Sequence, residues 1–246
     1  RPVGRAEQLD YATGMRRGGS VAAFLNTDLY NPKRHTLGKE QEAWLQNALQ
    51  TSKARGATWQ VLGQQVLMGK LNIPVIPPGE VAKLELPEFS RPRFEQAQQL
   101  APYGLPSNLD AWDGYPAARE RLFAMLSAHA NNPISLAGDT HNGWAFNLTN
   151  QKGEAVGVEW GTPGISSPGL ENYVPLPPEQ MQALLKGASP ELVACDTSQR
   201  GWTHVTLTPK AATAQWRFVS SVVEPVYTTH FGSELAVQAG DRELEA

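Results

Sequence analysis

Apolar and polar positions repeat along this chain with two different periods, and the change comes near its middle. In the first half the spacing is helical or continuous. Trp44, Leu45, Ala48 and Leu49 fall on one face of a segment running from Thr36 to Leu49, with polar residues opposite, which predicts an amphipathic helix ending near Gly56. Leu122, Met125, Leu126 and His129 recur at i, i+3, i+4 and i+7 and predict a second helix. Pro116 suits its first turn, Asp113 can cap it, and Asn131-Asn132-Pro133 stops it. Val21 to Asn26, Thr58 to Leu67 and Ile134 to Ala137 are apolar runs of strand length. Strand, helix and strand joined by short connections predict a βαβ unit and a parallel sheet, and the second helix leads into a further crossover.

Beyond Trp144 the period shortens. Trp144 to Leu148, Ala155 to Trp160, Trp202 to Leu207 and Ala214 to Val219 read as strands, some alternating as antiparallel strands with one wet face do. Glu179 to Ala188, after Pro177-Pro178, is a short helix with Met181, Leu184 and Leu185 on its apolar side. Residues 69–111 interrupt the pattern with Pro74, Pro77, Pro78, Pro87, Pro92, Pro102 and Pro106, and only Arg93 to Leu100 reads as helical. A Pro-rich insertion of this length predicts a lid or mobile excursion. Residues 1–19 form a polar, irregular lead-in. The main domain is expected over 20–222, followed by a tail, 223–246, with a small capping helix between Gly232 and Gly240. Together these elements predict an α/β fold with a mixed sheet in its second half.

Composition narrows the function classes. Across 246 residues, 41% hydrophobic and 18% charged positions describe a globular chain with a real core. A net charge of −3 carries no electrostatic footprint for nucleic acid or an anionic membrane. The single cysteine, Cys195, rules out an internal disulfide and a multi-cysteine metal site, and beside Val193 and Ala194 it reads as a small packed hydrophobe. No apolar run approaches membrane-spanning length. The chain starts at Arg1 and not at Met, so a processed protein or part of a longer one is expected.

The candidate chemistry sits where Ile134 to Ala137 runs into Gly138-Asp-Thr-His-Asn-Gly143. A carboxylate and an imidazole one residue apart at a strand's carboxyl end stand where open α/β sheets keep ligands, and both are common metal donors. Ordinary turn chemistry accounts for the same residues, Asn142 included, although Asn142 can also meet a phosphate. Asp113 reads as a helix cap or as an acid near the site. Glu159 and Trp160 read as pocket lining or as strand packing. Gly164-Ile-Ser-Ser-Pro-Gly169 comes close to the Gly-x-Ser-x-Gly elbow of serine hydrolases, with Ser166 as nucleophile, but Pro168 stands where that pattern ends in glycine. His35, His129, His204 and His230 have no partner pattern. A non-catalytic binding module is the third reading.

Several segments in order carry a family resemblance. They are Thr36-Leu-Gly-Lys-Glu-Gln-Glu-Ala-Trp-Leu45, Trp59-Gln-Val-Leu-Gly-Gln-Gln-Val-Leu-Met68, Trp112-Asp-Gly-Tyr-Pro-Ala-Ala-Arg119, Leu136-Ala-Gly-Asp-Thr-His141, Val158-Glu-Trp160, Ser166-Ser-Pro-Gly-Leu-Glu171, Asp196-Thr-Ser-Gln-Arg-Gly-Trp202 and Trp216-Arg-Phe-Val219. The chain resembles the carboxy-terminal part of the PhoD-like alkaline phosphatases, within the calcineurin-like metallophosphoesterase superfamily. The resemblance implies a layered α/β/β/α sandwich and hydrolysis of phosphomonoesters or phosphodiesters. It implies Asp139 and His141 as ligands of a metal cluster containing iron and calcium, and an exported protein, periplasmic or secreted. The family's earlier motifs, which hold most of the metal ligands, are absent, so the resemblance also implies a missing amino-terminal half as partner. Where the family usually has Asp-Thr-Arg, this chain has Asn26-Thr27-Asp28.

Overall fold

The computed structural model describes residues 21–245, so the expected lead-in over 1–19 lies outside the described residues. Helix α1 (Val21–Phe24) runs into a π-turn (Leu25–Leu29) and is followed by α2 (Lys39–Ala54) and strand β1 (Trp59–Gly63). Then come α3 (Pro78–Val81), α4 (Arg91–Leu100), α5 (Pro116–His129), β2 (Asn132–Ala137), β3 (Gly143–Thr149) and β4 (Ala155–Gly161). The chain closes with α6 (Pro178–Ala188), β5 (Leu192–Asp196), β6 (Gly201–Leu207), β7 (Ala211–Val219) and β8 (Thr229–Gln238).

A five-stranded mixed sheet, in the order β1-β2-β4-β3-β5, packs against a three-stranded antiparallel sheet, β6-β7-β8. Strands β1, β2 and β4 run parallel, as the crossover through α5 requires, and β3 runs antiparallel to β4 and β5. Alternation divides the two faces. On one, Phe146, Leu148 and Val156 meet Leu122, Phe123 and Leu126 of α5 and Met181 and Leu185 of α6. On the other, Ile134, Ala145, Val158 and Trp160 meet Ala212, Ala214, Trp216, Phe218 and Val237 of the second sheet. Helices, mixed sheet and antiparallel sheet are three of the four expected layers. Among the described residues, no helix makes extended contact with β6, β7 or β8.

Three expectations from the pattern are corrected. Val21 to Asn26 is helical, because a short apolar run does not by itself distinguish a buried strand from a buried helical turn. The tail segment between Gly232 and Gly240 is strand, not helix. Val237 faces the inter-sheet core, and β8 pairs with β7 from Val219↔Thr229 to Ala211↔Gln238. The domain therefore runs past residue 222, and Leu244 is buried in the same core. Finally, residues 69–111 are anchored on the helical face, with Ile76, Leu86 and Phe94 in the first core.

That anchoring solves a polar problem. Five consecutive backbone N–H groups, Met68 to Asn72, have no strand to pair with, and each donates to a side-chain oxygen from another element. Met68 and Gly69 donate to Glu159 of β4 at 2.8–2.9 Å. Lys70 donates to Glu191 at 2.9 Å, Leu71 to Asp113 at 3.0 Å and Asn72 to the Ser189 hydroxyl at 3.0 Å. Arg119 of α5, 1% exposed, lies among these acids. It donates to the Met68 carbonyl at 2.7 Å, to Glu191 at 2.7 Å and to the Thr149 carbonyl at 3.0 Å, with its guanidinium 4.2 Å from the Phe123 ring centroid. Burial raises the Glu159 carboxyl, and it pushes Asp113 up to about 7, against the pull of the Leu71 N–H and Arg119.

Two outcomes follow. Arg119→Met leaves buried Glu191 with only the half-exposed Lys70 ammonium, 3.8 Å away, to balance its charge, and is expected to lower the unfolding free energy by about 3 kcal/mol in urea titrations. Asp113 holds its proton in the folded state up to about pH 7, against an ordinary value of 3.8. Between those values folding takes up a proton, so stability is fullest at the acid end and falls as the pH rises through about 7. Unfolding midpoints measured across that window are expected to show this slope, and Asp113→Asn to flatten it.

Candidate functional site

At the carboxyl ends of the parallel strands the chain turns through Gly138 to Asn142, held from both sides. Gly138 N–H donates to the Gln65 carbonyl beyond β1 at 3.1 Å, and Thr162 N–H beyond β4 donates to the Ala137 carbonyl at 2.8 Å. The Trp144 indole closes the turn on the Thr140 hydroxyl at 2.6 Å. Asp139 (φ 69°) and His141 (φ 63°) both adopt the left-handed conformation, and among the described residues they are the non-glycine residues that do so. Each costs of order 1 kcal/mol relative to ordinary backbone, and strain of this kind gathers at functional sites.

The two side chains differ in their surroundings. Asp139 is exposed and lines an open cleft of about 870 Å³, together with Gln64, Gln65, Leu136, Trp160, Thr162, Thr203 and Val205. The cleft lies between the mixed sheet and β6, and its walls are largely apolar. His141 is half-buried, and its Nδ1 lies 2.8 Å from the Pro168 carbonyl. A carbonyl only accepts, so this contact places the proton on Nδ1 and leaves the Nε2 lone pair free, the arrangement usual for a metal-binding imidazole.

Other expected site residues sit elsewhere. Asn142 is 1% exposed, accepts from Leu170 N–H at 2.9 Å, and so braces the following loop instead of presenting to a phosphate. Asp113 and Glu159 lie in the buried network under residues 68–72, on the helical face and away from the cleft. Asp113 does not cap α5, whose N-cap is Tyr115. Trp160, the next residue along β4, points to the opposite face and does line the cleft. No residue of 69–111 lines it, which argues against the lid. Ser166 sits on an exposed loop between Gly161 and a three-residue 3-10 turn (Leu170–Asn172), so no strand-to-helix elbow forms. Cys195 is buried and its thiol is pushed up to about 12 by burial, in line with a packing role.

The sequence marked the loop 164–171 as a candidate serine elbow and gave Arg200 no role, whereas both enclose the His141 turn. Arg200 donates to the His141 carbonyl at 3.2 Å, to the Gln199 carbonyl at 2.7 Å, and to Glu171. Glycines 164, 169 and 201 in these two segments were the available signal. A side chain at Gly169 would strike Asn142, Arg200 and Glu171 together.

Among the described residues, no group of three or more His, Cys, Asp or Glu side chains is placed to hold a metal ion. Asp139 lines the cleft, and His141, two residues on, is not among the residues that line it.

Comparison with known proteins agrees with this architecture. The sequence profile of the PhoD-like phosphatase family matches residues 6–216. Alkaline phosphatase D of Bacillus subtilis (strain 168) is 32% identical over 200 residues, covering 79% of this chain and 28% of that relative. A solved structure described as "Structure of PhoD" matches with a TM-score of 0.62 at 26% identity, over 87% of this chain and 36% of its own. The chain thus spans about a third or less of the relatives it matches. A family match over most of its length, and a mixed sheet backed by an antiparallel one as in the solved relative, show that this chain belongs to the PhoD-like phosphatase family.

Proposed function

We propose that this chain carries part of the metal site of a phosphoesterase that hydrolyses phosphomonoesters or phosphodiesters. One observation carries the proposal. Asp139 and His141 stand at the carboxyl end of a central strand, held left-handed, with His141 Nδ1 committed to the Pro168 carbonyl and Nε2 free. The donor types suit hard or borderline ions, and the resemblance to PhoD-like enzymes points to iron and calcium. When bound, such ions lower the pKa of a coordinated water and neutralise phosphoryl oxygens.

The chain's own residues supply position and charge. The Asp139 carboxylate opens to the cleft, and His141 offers a neutral nitrogen whose ring is fixed by the loop behind it. The remaining ligands come from a part of the protein outside these 246 residues. Two observations support this: the 28% coverage of the Bacillus relative, and a donor pair too small for a tight site. The family resemblance also points to an exported protein, periplasmic or secreted. Among the described residues, no helix is long and apolar enough to cross a membrane.

Elemental analysis of the full-length protein, paired with turnover of p-nitrophenyl phosphate and bis-p-nitrophenyl phosphate, tests the proposal. Asp139→Asn and His141→Gln are expected to lose metal and to reduce turnover by more than about 100-fold, since removal of groups merely supporting metal ligands already costs 10–100-fold. Ser166→Ala is expected to stay within about two-fold, as an exposed substitution far from packing constraints. Turnover abolished by Ser166→Ala and retained by Asp139→Asn would transfer the chemistry to the serine.

A further inference from the structure

We propose that Arg200 is a positioning residue for His141, acting through a latch with Glu171 that seats the 164–171 loop on the His141 turn. His141 depends on two conditions that its own segment does not secure. Its backbone is left-handed at φ 63°, and its ring is oriented by a carbonyl 27 residues away, that of Pro168. Both conditions end at Arg200. One terminal nitrogen of the guanidinium donates to the His141 carbonyl at 3.2 Å and to the Gln199 carbonyl at 2.7 Å. The other donates to Glu171 at the far end of the loop, and Glu171 in turn accepts from Gly169 N–H at 3.2 Å.

The loop has further attachments. Gly164 N–H donates to the His141 carbonyl at 2.9 Å, Gly201 N–H to the Gly164 carbonyl at 3.0 Å, and Leu170 N–H to Asn142 at 2.9 Å. Pro168 lies between Gly164 and Leu170, so its carbonyl is held only while both ends are. Arg200 is 8% exposed, where a planar, two-armed donor is worth more than on an open surface. Glycine at 169 leaves room for the convergence of Asn142, Arg200 and Glu171. The latch therefore holds His141 in the Nδ1–H form.

This inference rests on the reading of His141 as a metal ligand, but the state of the ring can be observed without metal. Long-range 1H–15N correlation of the metal-free, 15N-labelled full chain, at a pH well above the ordinary histidine range, reads the tautomer of each ring. His141→Gln assigns the signal. The wild-type chain is expected to show His141 as Nδ1–H. Arg200→Ala is expected to move it toward the Nε2–H form that free imidazole prefers, and Arg200→Lys to move it part of the way, because an ammonium cannot span the His141 carbonyl and Glu171 as a fork does.

If Arg200→Ala does not fold, Glu171→Ala decides, since it opens the loop end of the latch and leaves the arm on the His141 carbonyl in place. A folded variant whose His141 stays Nδ1–H overturns the proposal, even if turnover drops. In the full-length enzyme, Arg200→Ala is expected to lower kcat about ten-fold with KM little changed. A wild-type enzyme without phosphoesterase turnover would sink the functional reading alone, and the tautomer result would stand or fall separately.

Discussion

Residues 68–72 enter the protein interior as bare backbone, and the placement of much else follows from how their N–H groups are satisfied. A buried, unpaired amide costs about 1–3 kcal/mol, and five in a row would consume much of the stability of an ordinary domain. The chain meets this with oxygens from Glu159, Glu191, Asp113 and Ser189, contributed by β4, the turn before β5, the turn before α5 and the turn after α6. Each of those elements is thereby tied to one strip of backbone. Arg119 makes the gathering of acids tolerable by offering charge where they meet. Raised carboxyl values at Asp113 and Glu159, due chiefly to their burial, mark the remaining cost.

This buried frame lies on one face of the mixed sheet and the candidate site on the other, and strand alternation connects them. Glu159 points into the frame, while its neighbour Trp160 lines the cleft. Ser135 donates to Glu159 at 2.7 Å, while Leu136 faces the cleft. The paired ends of β2 and β4 are thus clamped from the helical side just before the chain enters its turn. A turn that holds two non-glycine residues left-handed needs such rigid flanks, because otherwise the backbone would relax to an unstrained form.

Much of the architecture was legible in periodicity. Helices α2, α5 and α6 and strands β2, β3, β4, β6 and β7 fall where the spacing of apolar residues places them. The failures have physical causes. Val21 to Asn26 is too short for its period to decide, and β8 becomes a strand because β7 offers it an edge, a tertiary influence that local pattern does not carry. The Glu159 and Asp113 carboxylates look the same in sequence whether they face a pocket or a strip of buried amides. What separated them was the parity of Glu159 and Trp160 along β4, which becomes readable only once one neighbour's face is known. The Asp-x-His turn was legible as a motif. Its support was not, because Pro168 and Arg200 lie 27 and 59 residues from His141.

The distribution of satisfied and unsatisfied groups sharpens this division. On the helical face the polar inventory is nearly closed. Around the turn and cleft it is open: the Trp160 indole N–H, the Thr203 hydroxyl, the Asn142 amide nitrogen and one Glu171 oxygen are buried without partners. Polar groups of that kind are costly in a finished interior. Among the described residues the other two such atoms are nitrogens of Arg34 and Arg217, so four of the six gather around the turn and cleft and none beneath residues 68–72. The acids of the interior hold backbone, whereas the Asp139 carboxylate holds none of residues 68–72 and stands exposed at the cleft.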